Sequence, residues 1–247
     1  MSNRFFMITG TSSGIGQAVA RSLLESGDLV CGISRRDSEE LNRYPQYSQI
    51  LLDLQRVEEV EDVINRALTE VNPQSLEMIC LINNAAMLEP LLPIDECTAE
   101  DILSNIHICL IAPMILTSIF IKATQHWTAR RKIINISSGS GSYAHPSMSV
   151  YSAAKAGLNR FTQSVGAEQT GNDTNPVEII SVDPGMVETE MQQTARSKRE
   201  EEFRMAGYFK EAYLKGRLQS TDEMAGHLMR IIENHYEPGR LVHYCDL

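Results

Sequence analysis

RFFMITGTSSGIG, residues 4–16, passes from an apolar run into a glycine-rich turn, and beyond it Ala18, Val19, Leu23 and Leu24 recur at helical spacing. That order is strand, tight turn, helix. Gly10, Gly14 and Gly16 let the backbone turn sharply and come close to a ligand. Free N–H groups at the helix start, with the hydroxyls of Ser12 and Ser13, suit the oxygens of a pyrophosphate. A glycine-rich turn alone is equally at home in a plain loop. Its place between a first strand and a first helix is what points to a dinucleotide.

Outward from this turn, strand and helix keep alternating. Apolar strands are expected at 28–33, 49–52, 78–82, 132–136, 177–182 and 239–244. Helices are expected at 57–71, at 102–121 with a kink at Pro113, at 150–169 and at 222–234, the last begun by Ser220 or Thr221 as cap. The charged stretch 191–216, interrupted by Gly207, reads as helical. The pattern predicts an α/β fold, a Rossmann-type doubly wound parallel sheet of about seven strands with helices on both faces and ligands at the strands' carboxyl ends. Residues 1–247 form one expected domain, in which 190–217 is a substrate lid.

The bulk numbers exclude several classes. The chain has 247 residues, 43% hydrophobic and 22% charged, as an ordinary globular protein does. Its formal net charge of -10 repels phosphate backbones and anionic bilayers, so neither nucleic acid nor a membrane surface is an expected partner. The five cysteines are scattered and form no C-x-x-C pair, which argues against a disulfide framework and a metal site and for reduced thiols in the cytoplasm. The N-terminus lacks the segments of a signal peptide. No window reads as a membrane span, and 102–121, with Asn105, His107 and Pro113, reads as a buried helix.

Chemistry concentrates in SSGSGSYAHPSMSVYSAAK, residues 137–155. Lys155 follows Tyr151 by four residues, so on a helix the two share a face, and Ser138 stands at the end of the strand before them. A phenol, an ammonium and a hydroxyl brought together make a proton-transfer site. Near the second strand's end stand Ser34, Arg35 and Arg36, where a site built for NAD places an acidic residue. Guanidinium groups suit a 2′-phosphate, so NADPH is the expected cofactor, with Asp37 keeping NADH as the alternative. Asp53 either reaches the adenine amine or caps its turn.

T-G-x-x-x-G-x-G at 9–16, N-N-A-A at 83–86, Ser138, Y-x-x-x-K at 151–155 and P-G at 184–185 together resemble the short-chain dehydrogenase/reductases over nearly the whole chain. The segments HICLIAPMILTS, INISSGSG and PGMVETEMQ are further similar to bacterial reductases related to sepiapterin reductase and to the benzil reductases that form (S)-benzoin.

The resemblance implies an NADPH-dependent carbonyl reductase acting on a small ketone or diketone. Tyr151 would be the general acid, Lys155 would favour its phenolate and hold the nicotinamide ribose, and Ser138 would orient the carbonyl. Cofactor contacts carried over are Gly10, Ser12, Ser13, Gly14 and Ile15 at the phosphates, Ser34, Arg35 and Arg36 at the adenosine ribose, and Asp53 and Leu54 at adenine. Asn84, Ala85, Ala86, Pro184, Gly185, Val187 and Thr189, with Tyr151 and Lys155, would line the nicotinamide side. Substrate contacts are expected from 140–148 and 191–216, where Met191, Phe203, Met205, Tyr208, Phe209 and Tyr213 either suit an aromatic ketone or pack the lid. Pairing through the helices at 102–125 and 150–169 would give a homodimer or homotetramer. The family's catalytic asparagine is replaced by Cys109, a weak hydrogen-bonding group. Alternatives are an alcohol dehydrogenase working oxidatively, a reductase of another substrate class, and a nucleotide sensor without activity.

Overall fold

The computed structural model describes residues 3–69, 71–171 and 175–246. Glu70, inside the expected helix 57–71, lies outside the described residues, as do both ends of the expected 1–247 domain. Seven parallel strands form one sheet: β1 (Arg4–Thr9), β2 (Leu29–Ser34), β3 (Tyr47–Leu51), β4 (Met78–Asn83), β5 (Arg130–Ile136), β6 (Glu178–Asp183) and β7 (Leu241–His243). Their order, β3-β2-β1-β4-β5-β6-β7, reverses direction beside β1, and a ligand crevice opens at such a point. Among the described residues the α-helices are α1 (Gly14–Glu25), α2 (Val60–Thr69), α3 (Ala99–Ile106), α4 (Ala112–Ala123), α5 (Ser149–Thr170), α6 (Glu190–Ser197), α7 (Ala206–Leu214) and α8 (Thr221–Glu233).

The central strands β1, β2 and β4 are mostly apolar along their length because both faces of the sheet are covered there. Phe5 and Met7 of β1 enter a core shared with α2, α4 and α5, while Phe6 and Ile8 enter a second core under α1 and α8. Both layers are therefore set by the period of two along each strand.

Two expectations are corrected here. The kink placed at Pro113 is instead a π turn, His107–Ile111, in which the N–H of Ala112 reaches back to the His107 carbonyl. Proline has no N–H for the carbonyl four residues back, and the widened turn makes room for its ring. The helix is also longer and more apolar than expected: 99–123 has mean hydropathy 2.0 over a window only 39% buried, so by length and composition it could cross a bilayer. Cys109, Ala112, Leu116 and Phe120 face the core, whereas Leu103 and Met114 are exposed. The fold thus buries one side of this helix and leaves the other apolar and open.

Candidate active site

A cleft of about 460 Å³ runs along the strands' carboxyl ends. Its floor is built by the glycine turn. Gly10 and Gly14 have φ 77° and φ 63°, backbone that only glycine adopts freely. A Cβ on Gly16 would lie 2.3 Å from the Gly10 carbonyl oxygen and 2.5 Å from Asn84 Nδ2, so the turn closes only without a side chain there. Ser13 begins α1 without a capping bond from its own side chain, and the first turn holds no acidic residue, so the helix start accepts an anion. An extended dinucleotide fits this cradle.

Asn84 is tied to the same turn. Its Nδ2 donates to the carbonyls of Thr9 at 3.0 Å and Gly10 at 3.3 Å, and Thr9 Oγ1 accepts from the N–H groups of Asn84 at 2.9 Å and Ala85 at 3.0 Å. The ends of β1 and β4 are thereby held together. Gly10, Ser12, Ser13, Gly14, Ile15, Ser34, Arg35, Arg36, Asp53, Leu54, Asn84, Ala85, Ala86, Tyr151, Lys155, Pro184 and Thr189 all line the cleft. Asp53 does so while its Oδ1 also caps the turn at the Gln55 N–H, 3.1 Å away. Arg35 and Arg36 are exposed, and Arg36 lies 3.7 Å from Glu190 across the opening.

Gly185 and Val187, expected on the nicotinamide side, are not on the cleft wall. Gly185 turns with φ 66° against the ring of Tyr244, where a Cβ would stand 2.3 Å from Cε1. Val187 is buried in the α1/α8 core and bridges to Gln219. Residues 140–148 contribute nothing to the wall either, and from the lid only Met191 and Thr194 of α6, with Glu190, reach it. Phe203 is fully buried, 5.7 Å from Phe209, and the Arg196 guanidinium lies 4.1 Å over the Tyr213 ring. These aromatic side chains pack the lid because each finds a ring or cation partner within it. The sequence reading missed Met87, Leu88, Glu89 and Ile108, which form the wall near Tyr151. Met87, Leu88 and Glu89 directly follow N-N-A-A, which was the available signal for those three; Ile108 had none.

Tyr151 and Lys155 are 5% and 2% exposed. Lys155 Nζ donates to the Ile136 carbonyl at 2.8 Å and lies 5.7 Å from the Tyr151 ring centre. Ser138 Oγ accepts from the Ser140 N–H at 3.2 Å, and its hydroxyl lowers the Tyr151 pKa against the effect of burial. Burial raises the Tyr151 pKa well above that of an ordinary phenol, with Cys109 adding to the rise. Burial pushes Lys155 down. Desolvation is the largest influence on both groups, and it favours the neutral form of each. Tyr151 holds its proton.

A buried polar ladder fixes α5 to the sheet. Asn83 Nδ2 donates to Asn135 Oδ1 at 2.8 Å, Asn135 Nδ2 to Thr162 Oγ1 at 2.8 Å, and Ser181 Oγ to Thr162 Oγ1 at 2.9 Å. Asn83 thereby ties β4 to β5. Cys109 is fully buried, its thiol donating to the Met87 carbonyl at 3.3 Å and accepting from the Met87 N–H at 3.4 Å. Burial raises its pKa, so it is a neutral packed thiol.

Comparison with known proteins agrees with this geometry. A benzil reductase ((S)-benzoin forming) of Bacillus cereus is 37% identical over 240 residues, 95% of this chain and 96% of the relative. The solved structure of ElxO with NADP bound superposes with TM-score 0.79 at 22% identity, over 99% of this chain and 100% of that one. 4-Hydroxyisoleucine dehydrogenase complexed with NADH superposes with TM-score 0.76 at 22% identity, over 98% and 96%. The family described as short chain dehydrogenase matches residues 4–200. With its glycine cradle, its Tyr151–Lys155 pair and these likenesses, the chain belongs to the short-chain dehydrogenase/reductase family of oxidoreductases.

Proposed function

We propose that this protein is an NADPH-dependent carbonyl reductase acting on a small ketone or diketone of the benzil type. The observation that carries the reading is a buried Tyr151 beside Lys155, on the wall of a cleft that ends at Arg35 and Arg36. The activity named for the Bacillus cereus relative supports the substrate class.

The reduced nicotinamide supplies the hydride when bound. Tyr151 gives its proton to the carbonyl oxygen as negative charge develops there, and the Ser138 hydroxyl orients that oxygen. Lys155, anchored on the Ile136 carbonyl, offers its remaining N–H donors to ribose hydroxyls. Met87, Leu88, Ile108 and Met191 exclude water and offer an apolar wall to an aryl group. Arg35 and Arg36 supply charge for the 2′-phosphate.

Mixing the protein with NADPH or NADH and a panel of diketones and pterin side-chain ketones, and following nicotinamide absorbance, tests the reading. Oxidation of NADPH with a diketone is expected, and a clear preference for NADH would refute the cofactor assignment. Tyr151→Phe should lower kcat by about 10²- to 10⁴-fold while NADPH affinity changes little. Normal turnover in that variant would remove the acid role.

We also propose a homodimer or homotetramer in the cytoplasm. The open apolar side of 99–123 and the neighbouring groove, lined by Met114, Ile121, Phe161 and Val165, support pairing through α4 and α5. The thiols of Cys80, Cys97 and Cys109, none in a disulfide, support a reducing compartment.

A further inference from the structure

Behind the adenosine end of the cleft, a row of hydrogen bonds joins the glycine turn to β3 and β2. Thr11 Oγ1 lies 3.1 Å from the Tyr47 hydroxyl, which donates to Gln49 Oε1. Gln49 Nε2 donates to Ser34 Oγ at 3.2 Å and to the Ile50 carbonyl at 3.1 Å, and Ser34 Oγ donates to the Arg36 carbonyl at 2.6 Å. Each hydroxyl has one proton to give, so the bonds run in one direction, from the glycine turn through β3 to the loop after β2. Burial holds the Tyr47 phenol up to about 12, which keeps it a donor at working pH.

The register makes this row possible. Gly32 of β2 pairs with Gln49 of β3, and a Cβ on Gly32 would stand 2.1 Å from the Tyr47 hydroxyl and 2.5 Å from Thr11 Oγ1. Glycine leaves the space that the phenol fills. Tyr47 and Gln49 do not line the cleft, whereas Ser34, Arg35 and Arg36 do. The Ser34 hydroxyl proton is already committed to the Arg36 carbonyl, closing the turn 34–36 on itself. Arg35 and Arg36 are themselves exposed, so a turn left free would have to be ordered each time the two side chains converge on an anion.

We propose that Tyr47 and Gln49 are positioning residues for cofactor choice: through Ser34 they fix the turn that presents Arg35 and Arg36 to the 2′-phosphate. This rests on the NADPH reading above and deepens it. The row carries no charge, so it acts through the geometry of the turn, and most on the 2′-phosphate that Arg35 and Arg36 meet.

Calorimetric titration with adenosine 2′,5′-bisphosphate and with adenosine 5′-monophosphate, which differ only in the 2′-phosphate, separates the two ideas. The unaltered protein should bind the bisphosphate more tightly. Gln49→Leu and the milder Tyr47→Phe should each weaken bisphosphate binding about three- to tenfold, the range that one lost hydrogen bond supports, and change monophosphate binding less than about twofold. Thermal melting establishes that each variant is folded, and either one suffices. Equal losses for both nucleotides, or a preference kept intact in folded variants, would overturn the inference while leaving the NADPH reading standing. Equal affinities in the unaltered protein would overturn both.

Discussion

Tyr151 keeps its proton because burial penalises the phenolate more than the neighbouring Ser138 favours it. Its folded-state pKa is raised, so the acid form persists to higher pH than in a free phenol, whose pKa is about 10. Ketone reduction should accordingly show a level kcat/KM from about pH 6 to 9, and the reverse oxidation, which needs phenolate, should rise with pH over the same range. A reductive rate that falls through neutrality would contradict this protonation state. Y-x-x-x-K and Ser138 were legible in the sequence because side chains four apart on a helix share a face. The balance of burial against charge was not legible, since it depends on what packs over both groups. Cys109 teaches the same lesson. Its departure from the family pattern is visible in the sequence, but its two bonds to Met87 exist only once the π turn has placed it.

At the scale of elements, glycines separate what the cleft requires from what it tolerates. Gly16→Ala would press a methyl on the Gly10 carbonyl and Asn84, so dinucleotide binding followed by fluorescence should weaken more than about tenfold. A Cβ on Gly226, in α8, would meet no atom within 4 Å. Gly226→Ala should stabilise by about 0.5–1 kcal/mol through helix propensity, a rise of about 1–4 °C in Tm, with cofactor affinity unchanged. Helix is legible within 191–216, and α6 and α7 occupy that stretch. Which of their side chains reach the cleft was not readable, because α7 turns its aromatic residues into contacts within the lid.

For the molecule as a whole, chemistry and stability lie at opposite ends of the sheet. Lys132, fully buried near the start of β5, donates to the carbonyls of Ile231 at 2.6 Å and Asn234 at 2.7 Å at the end of α8 and meets Glu178 at 2.7 Å. Lys132→Met leaves Glu178 with less compensation and should cost about 3–5 kcal/mol in denaturant titrations, with kcat of the folded fraction preserved. An equal loss of kcat would show that the two ends are coupled. The α4 and α5 face is a second whole-molecule matter. Met114→Glu places a charge on it and should shift sedimentation toward the monomer if pairing occurs there. An unshifted oligomer would place the interface elsewhere.

The sequence by itself determined the alternation of strand and helix, the glycine turn and the spacing of Tyr151 and Lys155, because these follow from local periodicity and backbone freedom. From that order alone came the parallel sheet and the end of it at which ligands bind. Only the tertiary structure decided that Gly185 and Val187 leave the cleft wall, that Met87, Leu88 and Ile108 join it, and that Asn135 and Thr162 anchor α5. It also decided that Tyr47 lies over Gly32. These depend on contacts between residues far apart in the chain, which the register of neighbouring strands fixes and no local pattern records.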